Sequence, residues 1–230
     1  MGHELRGSQI YNYTRICMHQ RSLIKFCKEC GQAVSYRIPD DGDTKSRAIC
    51  SVCHTVHYEN PLMVVGTLPV WQGRVLLCKR NIEPRKGKWT LPAGFMELNE
   101  TAAEGAARET VEEAGAQFEM QDLLSVLSVA RVGQVHLYFR SALTSDQFNP
   151  GFETQEAQLF DEKDIPWDEL AFTTVKLTLE CFFADRAKER ETPVAFTNIQ
   201  KQEMVQRLGS RDIPLVLTTA PSVYATSSGG

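Results

Sequence analysis

Apolar and β-branched residues run in two blocks, "MVVGTLPVW" and "RVLLCKR", broken only at Gln72-Gly73, and this pattern predicts a hairpin. A second strand pair is predicted over "LLSVLSVAR" and "QVHLYFRSAL". Between the pairs, "KWTLPAGFME" reads as a loop carrying Pro92 and Gly94, followed by a helix from about Thr101 to Ala114. Thr101 and Glu104 have the spacing of a capping box, and Gly115 stands at the position just past the helix end. A second helix is predicted in "TTVKLTLECFFADRAKER", where Val175, Leu179, Phe182 and Phe183 share one face. "NPGFETQEAQLF", opened by Pro150 and Gly151, reads as another loop. Strand pairs with helices to cover them indicate an α+β domain or an α/β/α sandwich.

Four regions separate along the chain: an N-terminal extension (1–25), a cysteine-bearing segment (26–60), the strand-and-helix region (61–187) and a C-terminal tail (188–230). The tail ends in "LTTAPSVYATSSGG", rich in Ser, Thr, Gly and Pro and without charge, and is expected to be partly disordered. At 230 residues, 42% hydrophobic and 23% charged, the composition is that of a globular protein with a full core. A net charge of −4 gives no general reason to expect nucleic acid as a partner. No stretch reaches the length and apolarity of a membrane span, and the N-terminus has no apolar signal core. A cytoplasmic location is expected; the basic, acid-poor N-terminus leaves organellar targeting open without supporting it.

The segment "GFMELNETAAEGAARETVEEAGA" changes this ordinary picture. It holds six glutamates and one arginine, a net −5 in 23 residues. Glu109, Glu112 and Glu113 lie at i, i+3 and i+4, so their carboxylates project from one helical face and repel one another. A solvated charged surface is one explanation. The other is a divalent cation with oxygen ligands, Mg²⁺ or Mn²⁺, of the kind that bridges substrate phosphates. Arg108 stands beside the cluster, able to orient a carboxylate.

Gly94, five residues, Glu100, seven residues, then Arg108-Glu109-Thr110-Val111-Glu112-Glu113-Ala114-Gly115-Ala116 resembles the Nudix box, G-x5-E-x7-R-E-U-x-E-E-x-G-U. Every Gly, Glu and Arg of the pattern is in place, while Thr110 and Ala116 stand where a bulky aliphatic residue is usual. The resemblance implies the α/β class, specifically the Nudix α/β/α sandwich with a mixed sheet between helices, and metal-dependent hydrolysis of a nucleoside diphosphate linked to another moiety. It implies Glu109, Glu112 and Glu113 as Mg²⁺ or Mn²⁺ ligands, Glu109 or a neighbour as base, Arg108 as the orienting residue and Gly94 as the point of close loop approach. Glu156 is the expected loop glutamate completing the site, with Glu153 as its alternative near the substrate. Arg80 and Arg85, with Lys86 and Lys88, could meet phosphate oxygens, and Phe95 or Tyr138 could stack on a ring; surface charge and core packing are the plainer accounts of these.

Cys27-x2-Cys30 and Cys50-x2-Cys53, 19 residues apart, have the spacing of a four-thiolate zinc ribbon, a closed and therefore structural Zn²⁺ site. His54 and His57 adjoin it but are not needed as ligands. The segment shows no dense basic stripe, so packing or support of a homodimer is expected rather than nucleic-acid binding. A ribbon ahead of a Nudix domain is similar to two subfamilies. The NADH pyrophosphatases, also active on NAD-capped RNA, carry an S-Q-P-W-P-F-P-x-S sequence after the box that nothing here resembles. A group of bacterial proteins and plant FAD/ADP-ribose pyrophosphatases is matched by "NPLMVVG", the box region and "ETQEAQLFDEKDIPWDELAF". FAD, cleaved to FMN and AMP, or ADP-ribose is the expected substrate. Ala130 and Arg131 occupy the zone where ADP-ribose enzymes often carry a proline, which favours FAD. The alternatives are NADH/NAD hydrolysis and a catalytically silent metabolite-binding module.

Overall fold

The computed structural model describes residues 23–187 and the backbone of three short strands at 195–198, 205–207 and 223–224. The N-terminal extension before residue 23, Cys17 within it, and most of the predicted tail lie outside the described residues. The chain divides into two compact units, one up to Glu59 and one from Asn60.

The smaller unit is a three-stranded antiparallel sheet of β1 (Val34–Arg37), β2 (Arg47–Cys50) and β3 (Val56–His57). The Sγ atoms of Cys27, Cys30, Cys50 and Cys53 all lie within 4.8 Å of one another. Individual separations are 3.5 Å for Cys27–Cys53, 3.5 Å for Cys30–Cys50 and 3.4 Å for Cys30–Cys53. Four sulfurs at these distances suit the thiolate tetrahedron that zinc prefers. Neither His54 nor His57 belongs to the cluster.

The larger unit contains β4 (Leu62–Trp71), β5 (Arg74–Arg80), β6 (Trp89–Thr90), β7 (Ala93–Phe95), α1 (Ala102–Ala114), β8 (Phe118–Val129), β9 (Gln134–Leu143), β10 (Thr154–Phe160) and α2 (Thr173–Arg186). The three strands described by their backbone are β11 (Ala195–Asn198), β12 (Val205–Arg207) and β13 (Val223–Tyr224). They lie in the segment expected to be a tail, and all three join the sheet. Its main path runs β10-β5-β4-β9-β8-β11-β12, with β6 on β5, β7 on β4 and β13 on β8. The predicted hairpin turns at Gln72 and Gly73, both at positive φ, pairing Val70 with Val75. β4 and β9 are parallel while β8 and β9 are antiparallel, so the sheet is mixed.

One apolar layer joins Leu68, Val75, Leu77, Leu124 and Tyr138 of the sheet to Val175, Leu179, Phe182 and Phe183 of α2, the face its sequence predicts. The opposite layer joins Leu76, Cys78, Phe118 and Leu143 to Ala107 and Ala114 of α1. The sheet is therefore sandwiched between the two helices.

Two expected loops contain strands. "KWTLPAGFME" supplies β6 and β7, too short to leave a periodic signature around Pro92. "NPGFETQEAQLF" supplies β10, which pairs with β5 through a bulge between Thr154 and Glu156; that irregularity, with the Pro-Gly opening, obscures its alternation.

Replacing Cys27 with Ser should abolish zinc retention and unfold the 23–59 unit, because a closed thiolate site supplies folding free energy to so small a core. Metal analysis with circular dichroism checks this, and a folded, zinc-free variant would refute a structural ribbon.

Candidate active site

α1 begins where its sequence says it should. Thr101 Oγ1 accepts from the Glu104 N–H at 3.2 Å, and Glu104 Oε2 accepts from the Thr101 N–H at 2.7 Å. It ends at Gly115, whose φ of 58° is left-handed, and whose Cα lies so close to the Asn149 backbone that a Cβ would overlap it.

Arg108 is the hub of the acidic face. Its Nε and Nη2 donate to the two oxygens of Glu100 at 3.0 and 2.9 Å. Nη1 donates to Glu109 at 2.7 Å and to Glu112 at 3.3 Å, and Nη2 also reaches the Phe95 carbonyl at 3.1 Å. One guanidinium therefore holds three carboxylates and ties the helix to the loop before it. Gly94, on β7, lies directly against Glu109: a Cβ at this glycine would occupy the carboxylate's space. Glu113 turns under the same loop and accepts from the Ala93 N–H at 3.0 Å.

The three carboxylates differ in exposure. Glu112 is exposed, Glu109 half-buried and Glu113 only 7% exposed. Burial, reinforced by the Glu109 charge, pushes Glu113 up to about 7; burial also raises Glu109, against the pull of Arg108. Among the described residues, only the four cysteines bring three or more potential ligand atoms within 4.8 Å. Here Arg108 draws Glu109 and Glu112 to itself while Glu113 faces Ala93. The donor set, three carboxylates of which one fills the space a side chain at residue 94 would take, fits a hard divalent cation.

Thr110 departs from the aliphatic residue usual in the box, and its surroundings account for this. It is fully buried, its Oγ1 donates to the Ala106 carbonyl at 2.7 Å, and it lies 2.7 Å from Thr67 Oγ1 on β4. The Thr67 N–H donates to the Pro92 carbonyl at 3.1 Å, so a single β4 residue bonds both the helix and the loop between which Glu109 and Glu113 sit. Thr67 carries no sequence signal of this kind; only the pairing of strand with helix reveals it.

Glu153 and Glu156 separate. Glu156 is in β10, exposed and in register with Lys79, rather than in the expected loop. Glu153 precedes the strand in a turn, and its charge acts on both Glu109 and Glu113. Of the two, Glu153 is the one whose charge is felt at the acidic face.

Arg80 also reaches this region electrostatically, favouring the charged form of Glu113. Its guanidinium donates from Nε to the Pro84 carbonyl at 2.9 Å and lies 5.1 Å from the Phe172 ring centre. Arg85 and Lys86 are exposed on the following loop, Arg85 at a φ of 69°. Phe95 is 52% exposed beside Gly94, whereas Tyr138 is buried in the core and unavailable for stacking. Trp89 packs in the same core, edge-on to Phe160.

Comparisons with known proteins agree with this arrangement. The NUDIX domain family matches residues 61–180, and the Nudix N-terminal zinc-ribbon family matches 25–59. An ADP-ribose pyrophosphatase of Methanocaldococcus jannaschii is 32% identical over 124 residues, which cover 52% of this chain and 72% of that protein. A NAD-capped RNA hydrolase NudC of Vibrio parahaemolyticus is 26% identical over 151 residues, covering 64% of this chain and 55% of that protein. The crystal structure of a NUDIX hydrolase from Nitrosomonas europaea is 47% identical, covers 76% of this chain and 99% of its own, and superposes with a TM-score of 0.72.

Two outcomes test the geometry. With metal removed by chelation, the raised Glu113 pKa means that the folded state holds a proton the unfolded chain releases near 4.5. Its stabilising contribution is complete below that pH and lost as pH rises through about 7; Glu113→Gln should flatten this fall in melts recorded from pH 5 to 8. Thr110→Val leaves the Thr67 hydroxyl buried without that partner and should cost about 1–3 kcal/mol, more than the Thr67→Val/Thr110→Val double variant. Additive losses in denaturant titrations would show that the hydroxyls are not coupled. The box, its buried environment and the two family matches together place the chain in the Nudix hydrolase family, with an N-terminal zinc ribbon.

Proposed function

We propose that this Nudix hydrolase cleaves the diphosphate linkage of an adenine dinucleotide-type substrate, ADP-ribose or FAD. The observation that carries the reading is the acidic face itself: Glu109 seated against Gly94, Glu113 under Ala93 and Glu112 open to solvent, all organised by Arg108. The relative named ADP-ribose pyrophosphatase supports ADP-ribose, and the resemblance of the box region and "ETQEAQLFDEKDIPWDELAF" to plant FAD/ADP-ribose enzymes supports both.

Glu109, Glu112 and Glu113 would hold Mg²⁺ or Mn²⁺, which when bound neutralises diphosphate charge and lowers the pKa of water. Arg108 keeps Glu109 and Glu112 oriented before substrate arrives, so little reorganisation accompanies the reaction. Arg80 and Arg85 supply positive charge for phosphate oxygens, and the exposed Phe95 ring offers a stacking surface next to Gly94. Glu109 or Glu153 takes the proton of the attacking water as its oxygen bonds to phosphorus and the bridging P–O bond breaks. The products are two phosphate monoesters. Glu156, exposed on β10, is the weaker candidate for this role.

NADH or NAD⁺ is the second reading, favoured by the match to NAD-capped RNA hydrolases. Purified protein with Mg²⁺ or Mn²⁺ against ADP-ribose, FAD, NADH and NAD⁺, with products resolved by chromatography, separates the cases. AMP with ribose 5-phosphate or FMN is the expected outcome; NMN-containing products at a higher rate would move the assignment to the second reading. Glu112→Gln should lower kcat by at least roughly a hundredfold, the scale of a lost transition-state contact, without loss of fold. Binding of substrate with no turnover under any metal would instead mark a metabolite-binding module.

A further inference from the structure

Phe152 is 86% exposed although apolar packing is at hand: Phe148, four residues earlier, packs against the layer beneath α1. Its turn is nonetheless firmly held. The Gly151 backbone lies against the Glu112 carbonyl so closely that a Cβ would overlap it. Asn81 Nδ2 donates to the Phe152 carbonyl at 2.9 Å, and the Asn81 N–H donates to the Glu153 carbonyl at 2.7 Å. The Thr154 N–H closes the turn on the Gly151 carbonyl at 3.1 Å. Asn81 itself follows Arg80 and opens the loop carrying Arg85 and Lys86, a loop folded back through Gly87 N–H to the Arg80 carbonyl at 2.8 Å. An exposed aromatic residue thus stands on a held backbone at the junction of the basic loop, the Glu112 end of the acidic helix and Glu153.

We propose that Phe152 is a stacking platform for the adenine ring, the group common to ADP-ribose, FAD and NADH. The proposal rests on the dinucleotide reading above and deepens it by naming where the base goes. The diphosphate must meet both the carboxylate face and the basic loop, and the turn that carries Phe152 bonds to Asn81 at the start of that loop and packs on the backbone carbonyl of Glu112. A base continuing from that diphosphate has a flat, solvent-exposed apolar surface beside it, and purine–aromatic stacking does not require a particular hydrogen-bonding edge. Because the backbone of the turn is already held, binding has only the side chain left to order.

Two ligands that differ in the base alone separate stacking from phosphate binding. Calorimetry of wild type and Phe152→Ala with AMP and with ribose 5-phosphate should show AMP weakened roughly tenfold, a typical loss for one base–aromatic contact. Ribose 5-phosphate affinity and the melting temperature should not change, and Phe152→Trp should restore AMP binding. In turnover, Phe152→Ala should raise KM with kcat little altered. Equal AMP affinity in wild type and Phe152→Ala, or a fall in kcat at constant KM, would overturn the proposal while leaving the hydrolase reading intact. Weakened AMP binding in a protein that hydrolyses none of the dinucleotides would sustain the stacking role and sink the hydrolase reading. A wild type that does not bind AMP would overturn the platform.

Discussion

Everything around α1 answers one electrostatic problem: carboxylates gathered at the wrong end of a helix. Glu109, Glu112 and Glu113 occupy its last two turns, where the aligned peptide dipoles already present negative charge, and its last turn contains no basic residue. Glu104, by contrast, sits in the first turn, where an acid is favourable and completes the cap. Arg108 offsets part of the repulsion by bonding Glu100, Glu109 and Glu112 together. Glu113 is left to burial, a single backbone N–H and a pKa near neutrality. Such an arrangement lowers the stability of the metal-free protein, and a chain keeps it where cations complete it.

The surrounding fold limits how the helix can relax this strain. Thr67 and Thr110 bond across the sheet–helix interface, and the Thr67 N–H holds the loop at Pro92. That loop places Gly94 on Glu109 and Ala93 on Glu113. At the other end Gly115 admits the Asn149 backbone and Gly151 meets the Glu112 carbonyl, so the connection from β9 to β10 clamps the helix terminus. Close backbone approach recurs at three glycines around one short helix. Each lets a loop come nearer than any side chain would permit, which turns a mutually repelling surface into a fixed one.

What was legible in the sequence follows from how local each cause is. The cap at Thr101 and Glu104, the stop at Gly115 and the shared face of Glu109, Glu112 and Glu113 depend on neighbours within one or two turns, and spacing encodes them directly. The α2 face was readable for the same reason, as was the pairing of C-x2-C segments. β6, β7 and β10 were not, because two- and three-residue strands have no period, and a bulge breaks the alternation of β10. Spacing named Glu153 and Glu156 together and could not separate them, because the turn that holds the first and the bulged strand that holds the second are set by pairing with β5. The reason for Thr110 in place of an aliphatic residue was not legible, because its partner, Thr67, is 43 residues away in the chain.

The two metal chemistries of the chain are divided by ligand hardness. Four thiolates fill a zinc tetrahedron and leave no position for substrate, so the cysteine unit is suited to structure and not to turnover. The acidic face has the opposite character. Its donors are carboxylates alone, which suit Mg²⁺ and Mn²⁺ and discriminate against soft metals by ligand type. Glu112 stays open to solvent, held by Arg108 alone, while Glu113 is enclosed beneath Ala93, so the cluster combines a buried carboxylate with one that faces an incoming ligand. Buried and solvent-facing carboxylates on one helical turn suit a cation shared between protein and diphosphate, since part of its coordination must be supplied anew with each substrate.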